Sequence, residues 1–435
     1  MDPNQTFTLI NIAVMTVLMW LIPLQFVPFF IWLERKGSAI IQDRVGPNRT
    51  GILGFRLFGM VQNFADVVKL VMKENIVPAN VNRFYFMLAP FWAMTVSLLP
   101  LLVVPLAAPL EMAGHSIRFQ AADLGVGVLF ILSITSMGVF GIILAGWSSN
   151  NKFSLLGSLR SSAQMISYEL SMGLSMVGLL MVYQDVRMSV IVETQGRLLT
   201  AWGHALPLPN WGIFLQPVGF LLFLVAAFAE TNRNPFDLAE GESELVAGFH
   251  LEYSSVKFSL FFMAEYANMV VAAFVIATLF LGGYQVPFAS TQELQADPKL
   301  ALVLLCCTLV LLKGLAGVFF YKRGVQQKHL YTGVKQAEPF LFAGLCFAVV
   351  VAALGLMGYG LTAGLPAGVN GVLIPVLQLL CLLLKVLFFC WLFVWVRWTL
   401  PRFRYDQLMK MGWKLMLPLA LLNLLVTGVL LLTQK

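Results

Sequence analysis

The chain has 435 residues, of which 59% are apolar and only 11% charged, and its mean hydropathy is +0.83. A soluble domain carries about 25% charged residues, so the composition excludes an ordinary water-soluble enzyme and makes the bilayer the solvent for most of the surface. The formal net charge of +7 would suit a nucleic-acid binder, but the placement of the cations excludes that as well.

A membrane-crossing helix needs about 20 mostly apolar residues. In chain order the sequence predicts ten, at roughly 8–33, 84–107, 122–147, 162–184, 211–229, 258–283, 299–321, 339–361, 372–396 and 414–432. The start, Met1-Asp2-Pro3-Asn4, lacks the basic stretch of a cleaved signal peptide, so the first run is expected to be a permanent span. Twenty-one of the 28 lysines and arginines fall in the loops after spans 1, 3, 5, 7 and 9, among them Arg35, Lys36, Arg44, Arg49, Lys322, Arg323, Lys328, Arg397, Arg402 and Arg404. The opposite side holds only Arg118, Arg187, Arg197, Lys299 and Lys435. By the positive-inside rule the odd loops are cytoplasmic and both termini periplasmic. The basic balance is thus a mark of topology.

Segment 55–74 behaves differently from the spans. Leu57, Phe58, Val61, Phe64, Val68, Val71 and Met72 recur at helical spacing, while Arg56, Gln62, Asp66, Lys69 and Lys73 take the other side. This predicts an amphipathic helix lying along the interface, either a surface anchor or the wall of a cavity opening at that depth.

Ionisable groups inside a bilayer are costly, and each is a functional candidate. Glu169 and Glu265 sit about two helical turns inside the ends of spans 4 and 6, at similar depth. The loop at 230–257 is the main anomaly: it gathers Glu230, Asp237, Glu240, Glu242, Glu244 and Glu252 against Arg233 and Lys257, with Phe236, Leu238, Leu245, Val246 and Phe249 interleaved. Glu240 and Glu244 would share a helix face, and clustered carboxylates raise one another's pKa, so that protons can be held and passed near neutrality. An acidic docking patch for a basic partner is the other reading, and the two are compatible. Lys385, near a span centre, is expected to face protein or water and pair with an acid; Lys313 is assigned no role. In the loop after span 1, Glu34 and Asp43 among Arg35, Lys36, Arg44 and Arg49 suggest ion pairs that order it.

There is no phosphate-binding loop, dinucleotide fingerprint, HExxH or nucleophile elbow. Cys306, Cys307, Cys346, Cys381 and Cys390 lie in apolar segments, and His115, His204, His250 and His329 are scattered; neither set has metal-ligand spacing. No metal site and no redox centre of its own is expected in the chain.

Leu33-Glu34-Arg35-Lys36 with Arg44-Val45-Gly46-Pro47-Asn48 resembles the first cytoplasmic loop of one family, the H subunits of respiratory complex I, called subunit 1 in mitochondria. So do Phe64-Ala65-Asp66 to Lys69, Ser167-Tyr168-Glu169, Ala229 to Tyr266, and Leu400-Pro401-Arg402-Phe403-Arg404-Tyr405-Asp406-Gln407-Leu408, in the family's order. The resemblance implies an all-α polytopic subunit in the inner membrane (plasma or organellar) at the heel of a NADH:quinone oxidoreductase, not catalytic alone. Quinone is then the substrate. Soluble quinone-site and iron–sulfur subunits, FMN, and antiporter-like and small membrane subunits belong to the partners. Carried over by motif, Glu34, Arg35, Arg44, Asp66, Lys69, Arg233, Phe236 and Asp237 would line or support a quinone tunnel. Glu169, Glu230, Glu240, Glu242, Glu244, Glu252 and Glu265, with Lys385, would form a proton path.

The family pattern has eight spans. The stretch 298–361 is read as an inserted transmembrane hairpin, since two extra crossings leave the sidedness downstream unchanged. Two alternatives stay open: the equivalent subunit of a membrane hydrogenase or of a complex fed by ferredoxin or deazaflavin, and a non-redox ion transporter.

Overall fold

In the computed structural model of the chain, residues 3–112, 115–201, 204–237, 246, 248–329, 333–362 and 367–433 are described. Among them nine helices are long and apolar enough to cross a bilayer. They are carried by α1 (Pro3–Ile41), α3 (Arg83–Leu98, extended by a 3-10 turn Leu99–Val103), α4 (Gly127–Ser148), α5 (Lys152–Tyr183) and α9 (Ser255–Phe280). The others are α11 (Pro298–Gln327), α12 (Val334–Thr362), α13 (Ala367–Thr399), and α15 (Leu417–Thr433) preceded by α14 (Tyr405–Lys410). The shorter elements among the described residues include α2 (Val61–Met72), α6 (Met188–Gln195), α7 (Gly212–Leu215), α8 (Pro217–Glu230), α10 (Thr291–Ala296), and two antiparallel hairpins, Leu110–Met112 with His115–Ile117 and Leu198–Ala201 with His204–Pro209.

The fifth predicted span is the one that departs from a continuous helix. It is split at Gln216, whose backbone (φ −133°, ψ 61°) leaves the helical region. The cause is local: the ring of Pro217 pushes the preceding residue out of the α region. The Gln216 side chain is held by the last helix, where Gln216 Nε2 donates to Thr427 Oγ1 at 2.7 Å and Asn423 Nδ2 donates to Gln216 Oε1 at 2.9 Å. At Gly212 a side chain would sit 2.6 Å from the Leu279 carbonyl, so only glycine lets this broken segment meet the end of α9.

Other helices run past the predicted bounds. Helix α5 begins after Asn151, whose side chain caps Phe153 N at 2.9 Å, about three turns before the apolar stretch. Its early serines, Ser154, Ser158, Ser161 and Ser162, are buried against protein, which an apolarity scan does not register. The final span contains a π-helical turn, Met411–Met416; there Gly412 passes the Tyr168 ring, and Tyr168 donates its hydroxyl to Leu408 O at 2.9 Å.

Helices α3, α4, α5, α8 and α9 pack around one core, with α13 against α9 and α15 against α5. The predicted interfacial helix is α2. Its Phe64, Val68, Val71 and Met72 face outward, while Asn63 Nδ2 ties it to Pro28 O of α1 at 2.5 Å. Helices α11 and α12 form an antiparallel hairpin packed on itself and reach the body mainly through α11 against α13.

Candidate functional site: a polar chamber beside an acid-lined cavity

Four residues of α1, Ile31, Glu34, Arg35 and Ser38, recur at helical spacing and form one wall of a cavity of about 500 Å³. Arg44, Gly46 and Pro47 of the following loop, Gln62 of α2, Phe262 and Tyr266 of α9, and Arg397 at the end of α13 close it. Arg35 pairs with Asp66, which also accepts from Gln62 Nε2 at 3.0 Å. Gln62 in turn accepts from Thr50 Oγ1 at 2.5 Å. The chamber is therefore lined by three arginines and one carboxylate.

That carboxylate, Glu34, is only 8% exposed. It accepts from the Tyr266 hydroxyl at 2.5 Å, from Arg233 Nη1 at 3.5 Å, and pairs with Arg397. The Arg233 guanidinium lies 3.9 Å from the Tyr266 ring centroid, and its Nε and Nη2 have no hydrogen-bond partner among the described residues. Burial alone would lower the pKa of Arg233; Tyr266, Glu34 and Glu265 outweigh it and hold the guanidinium more firmly charged than usual. A buried cation survives only with such compensation.

The segment that places Arg233 is held by Gln164 of α5. Its Nε2 donates to Ala229 O at 2.7 Å, to Phe236 O at 2.8 Å and to Asn232 Oδ1 at 3.3 Å. Phe236 lies between the rings of Tyr168 and Phe403, each with centroids 5.5 Å away. Asp237 accepts from Arg402 Nη2 at 3.0 Å. The 231–237 segment is thus pinned at both ends.

On the other face of α9, Ala264, Glu265 and Asn268 line a second, narrow cavity of about 80 Å³ with Thr135 and Gly138 of α4, Met165 and Met172 of α5, and Glu230 at the end of α8. Glu169 accepts from Ser136, and Glu230 lies beside Thr135 within electrostatic reach of Glu169. Residues 265 and 266, adjacent in sequence, thus face different cavities, with Arg233 interacting with both Glu34 and Glu265.

Of the residues singled out in sequence, the structure gathers Glu34, Arg35, Arg44 and Asp66 at the chamber, Arg233 against its inner wall, and Glu230 and Glu265 at the narrow cavity, with Glu169 within electrostatic reach of Glu230. Phe236 and Asp237 support the connecting segment. Lys69 is exposed on α2. Glu252 accepts from Asn151 Nδ2 at 2.7 Å and lines a separate polar cavity of about 540 Å³. Glu240, Glu242 and Glu244 lie outside the described residues. Among the described residues Lys385 pairs with carbonyls and not, as expected, with an acid. Its Nζ donates to the carbonyls of Leu281, Gly283 and Gln285 at 2.7, 2.8 and 2.7 Å. The loop leaving α9 offers carbonyls at a helix end, where partial negative charge accumulates, so three donors meet three acceptors. Tyr266, Gln164 and Ser136 were not singled out in the sequence. Tyr266 carried a signal, standing next to Glu265 in an apolar span; Gln164 and Ser136 become visible only through their partners.

Fold and site together define a polytopic helical membrane protein with a cationic chamber at one face of the bundle and buried acids behind it. A family model described as NADH dehydrogenase matches residues 12–428. The H subunit of the NADH-quinone oxidoreductase of Bdellovibrio bacteriovorus is 40% identical over 427 residues, covering 95% of this chain and 94% of that protein. The corresponding H subunit, numbered 1, of Solibacter usitatus is 42% identical over 404 residues, and NADH-quinone oxidoreductase subunit 8 of Rhodothermus marinus is 42% identical over 396 residues; each comparison covers 91% of this chain and 90% of the relative. The chain belongs to the NADH dehydrogenase family, alongside the H subunits of NADH-quinone oxidoreductases.

Proposed function

We propose that this protein is the membrane subunit of a NADH:quinone oxidoreductase that forms much of the quinone chamber and couples quinone reduction to proton translocation. The observation carrying the proposal is the pair Glu265 and Tyr266, which face two cavities from one turn of α9.

A quinone head receiving electrons from a soluble partner develops negative charge on its oxygens before it is protonated. Fixed cations aimed at such a charge stabilise it without reorganisation, and Arg35, Arg44 and Arg397 line the chamber while Arg233 stands behind Glu34. The Tyr266 hydroxyl, donating to Glu34, can hand on a proton. A change of charge on Glu34 is felt by Arg233, and through it by Glu265, without a long conformational relay. Glu265, Glu230 and Glu169 then carry protons inward, and Glu240, Glu242 and Glu244, by the sequence resemblance, are assigned to the same path. The distribution of lysine and arginine supports periplasmic termini in a bacterial inner membrane.

In the assembled complex, Glu230→Gln and Glu265→Gln keep a side chain of similar shape but remove the exchangeable proton. Inhibitor-sensitive quinone reduction coupled to proton uptake should fall by about 100-fold, the low end for removal of a proton-transfer group, with assembly intact. Two variants that both turn over and pump at the wild-type rate would exclude the acid path. Arg44→Ala tests the chamber separately, through a raised KM for short-chain quinones.

A further inference from the structure

Helix α11 carries a charge at its middle. Lys313 lies fifteen residues after Pro298 and fourteen before Gln327, the two ends of that helix. Lys322 and Arg323, the basic residues that mark the nearer interface, stand nine and ten residues further on. Nine residues rise about 13 Å along a helix, and half of the hydrocarbon core is about 15 Å, so Lys313 stands near the centre of the bilayer. The Cα–Cβ bonds of a helix tilt toward its N-terminus, here away from Lys322 and Arg323. The side chain therefore sets out in the direction that lengthens its route to that interface.

Nothing among the described residues answers this charge. Lys313 is exposed and makes no hydrogen bond, ion pair or ring contact with them. Helices α11 and α13 contain no acidic residue. Helix α12 contains only Glu338, which is buried and taken by Arg56 and by the backbone N–H groups of Arg56 and Phe58, at 3.2 and 3.1 Å. Lys385, the other lysine inside a span, shows the contrast, since three carbonyls surround it. A cation facing hydrocarbon is costly, and intramembrane cations pair with acids or carbonyls.

The surface beside Lys313 has room for a helix. Gly314 opens onto an apolar groove of about 490 Å³ along α11 and α12, which Leu311 and Leu315, both exposed, also line. A side chain at Gly314 would meet nothing within 4 Å, and small residues of that kind let membrane helices approach closely.

We propose that the Lys313 face of α11 docks a membrane-spanning helix of another subunit, one with an aspartate or glutamate at mid-depth whose carboxylate accepts from the Lys313 ammonium. Charge complementarity selects this occupant. An anionic phospholipid holds its charge at the headgroup level, about 15 Å from the centre. A second copy of this chain meeting through the same face would bring no carboxylate. The contact is separate from the quinone chamber and the acid path, and its test reads assembly alone.

The complex is purified in mild detergent with K313L, K313R or K313E, and its subunits are counted by native mass spectrometry as detergent is raised. In K313L the affinity for one membrane subunit should fall about tenfold, the upper range for a polar contact between membrane helices. K313E should lose that subunit outright, and K313R should keep it. The departing subunit should carry an acid near the middle of a span, and exchanging that acid for lysine in the K313E background should restore it. A lysine that merely faces lipid gives the opposite sign: K313L, freed of a charge in hydrocarbon, keeps every subunit and melts higher. That result, or loss of a subunit without an intramembrane acid, overturns the proposal.

Discussion

Helices α9 and α12 are both membrane-crossing, but their surroundings differ in the direction opposite to a soluble protein's. The α12 span has the higher hydropathy, 2.6 against 1.9, yet 11% of its window is buried within the protein compared with 67% for α9. In water the more apolar helix would be the more buried. In lipid no hydrophobic force drives helices together, and association follows packing and polar contacts. Helix α9 carries Glu265, Tyr266 and Asn268, which need protein around them, and Ala267, Ala273 and Ala277, which let neighbours approach. Helix α12 presents Leu345, Val351 and Leu354 outward and needs only lipid. The helix that holds the buried polar and charged groups is therefore the less hydrophobic of the two.

This contrast can be broken at its strongest point. Arg233→Ala leaves Glu34 in a buried site with one cation fewer, a loss of about 3–5 kcal/mol; the complex should assemble poorly, as read by native gel and thermal melting. Normal assembly would mean that Arg233 is not what compensates Glu34. Phe274→Ala, at a fully buried position on α9, should cost about 3–5 kcal/mol through the cavity it leaves. Glu338→Gln sharpens the comparison at the hairpin's contact with the Arg56–Phe58 loop. It weakens one buried charged contact by about 1–3 kcal/mol and should speed trypsin cleavage at Arg44 and Arg49 while the body stays folded; unchanged cleavage would show that the hairpin does not order that loop. Val351→Ala, on a residue 69% exposed, should shift the melting temperature by an amount corresponding to less than about 0.5 kcal/mol. A loss comparable to that of Phe274→Ala would mean that α12 is covered by a protein partner in the complex.

Much of the architecture was legible in the residues. Apolar runs located the spans because a bilayer imposes a length and a composition, and the helix at 61–72 showed in the two-sided spacing of 55–74. The break at Gln216 was implicit in Pro217. Helix ends were harder to read, since α5 continues through buried serines that look polar in sequence but lie against protein. Among the acids, Glu169 and Glu265 stood out because charge in an apolar environment is expensive, Glu230 because it belongs to the acidic loop, and Glu34 because it stands among the cations after the first span. Their grouping around two cavities did not, because it depends on which face of α9 each side chain takes and on Gln164 drawing the 229–236 segment across α5.

What the amino-acid sequence determined alone was the solvent, the order of the crossings, and the identity of the groups too costly to be accidental. Those are consequences of composition and period, properties a chain has before it folds. The tertiary structure decided which charges meet: Glu34 with Arg233 and Arg397, Lys385 with three carbonyls rather than an acid. Such pairings join residues far apart along the chain, and their energies depend on distance and local dielectric, which no one-dimensional pattern contains.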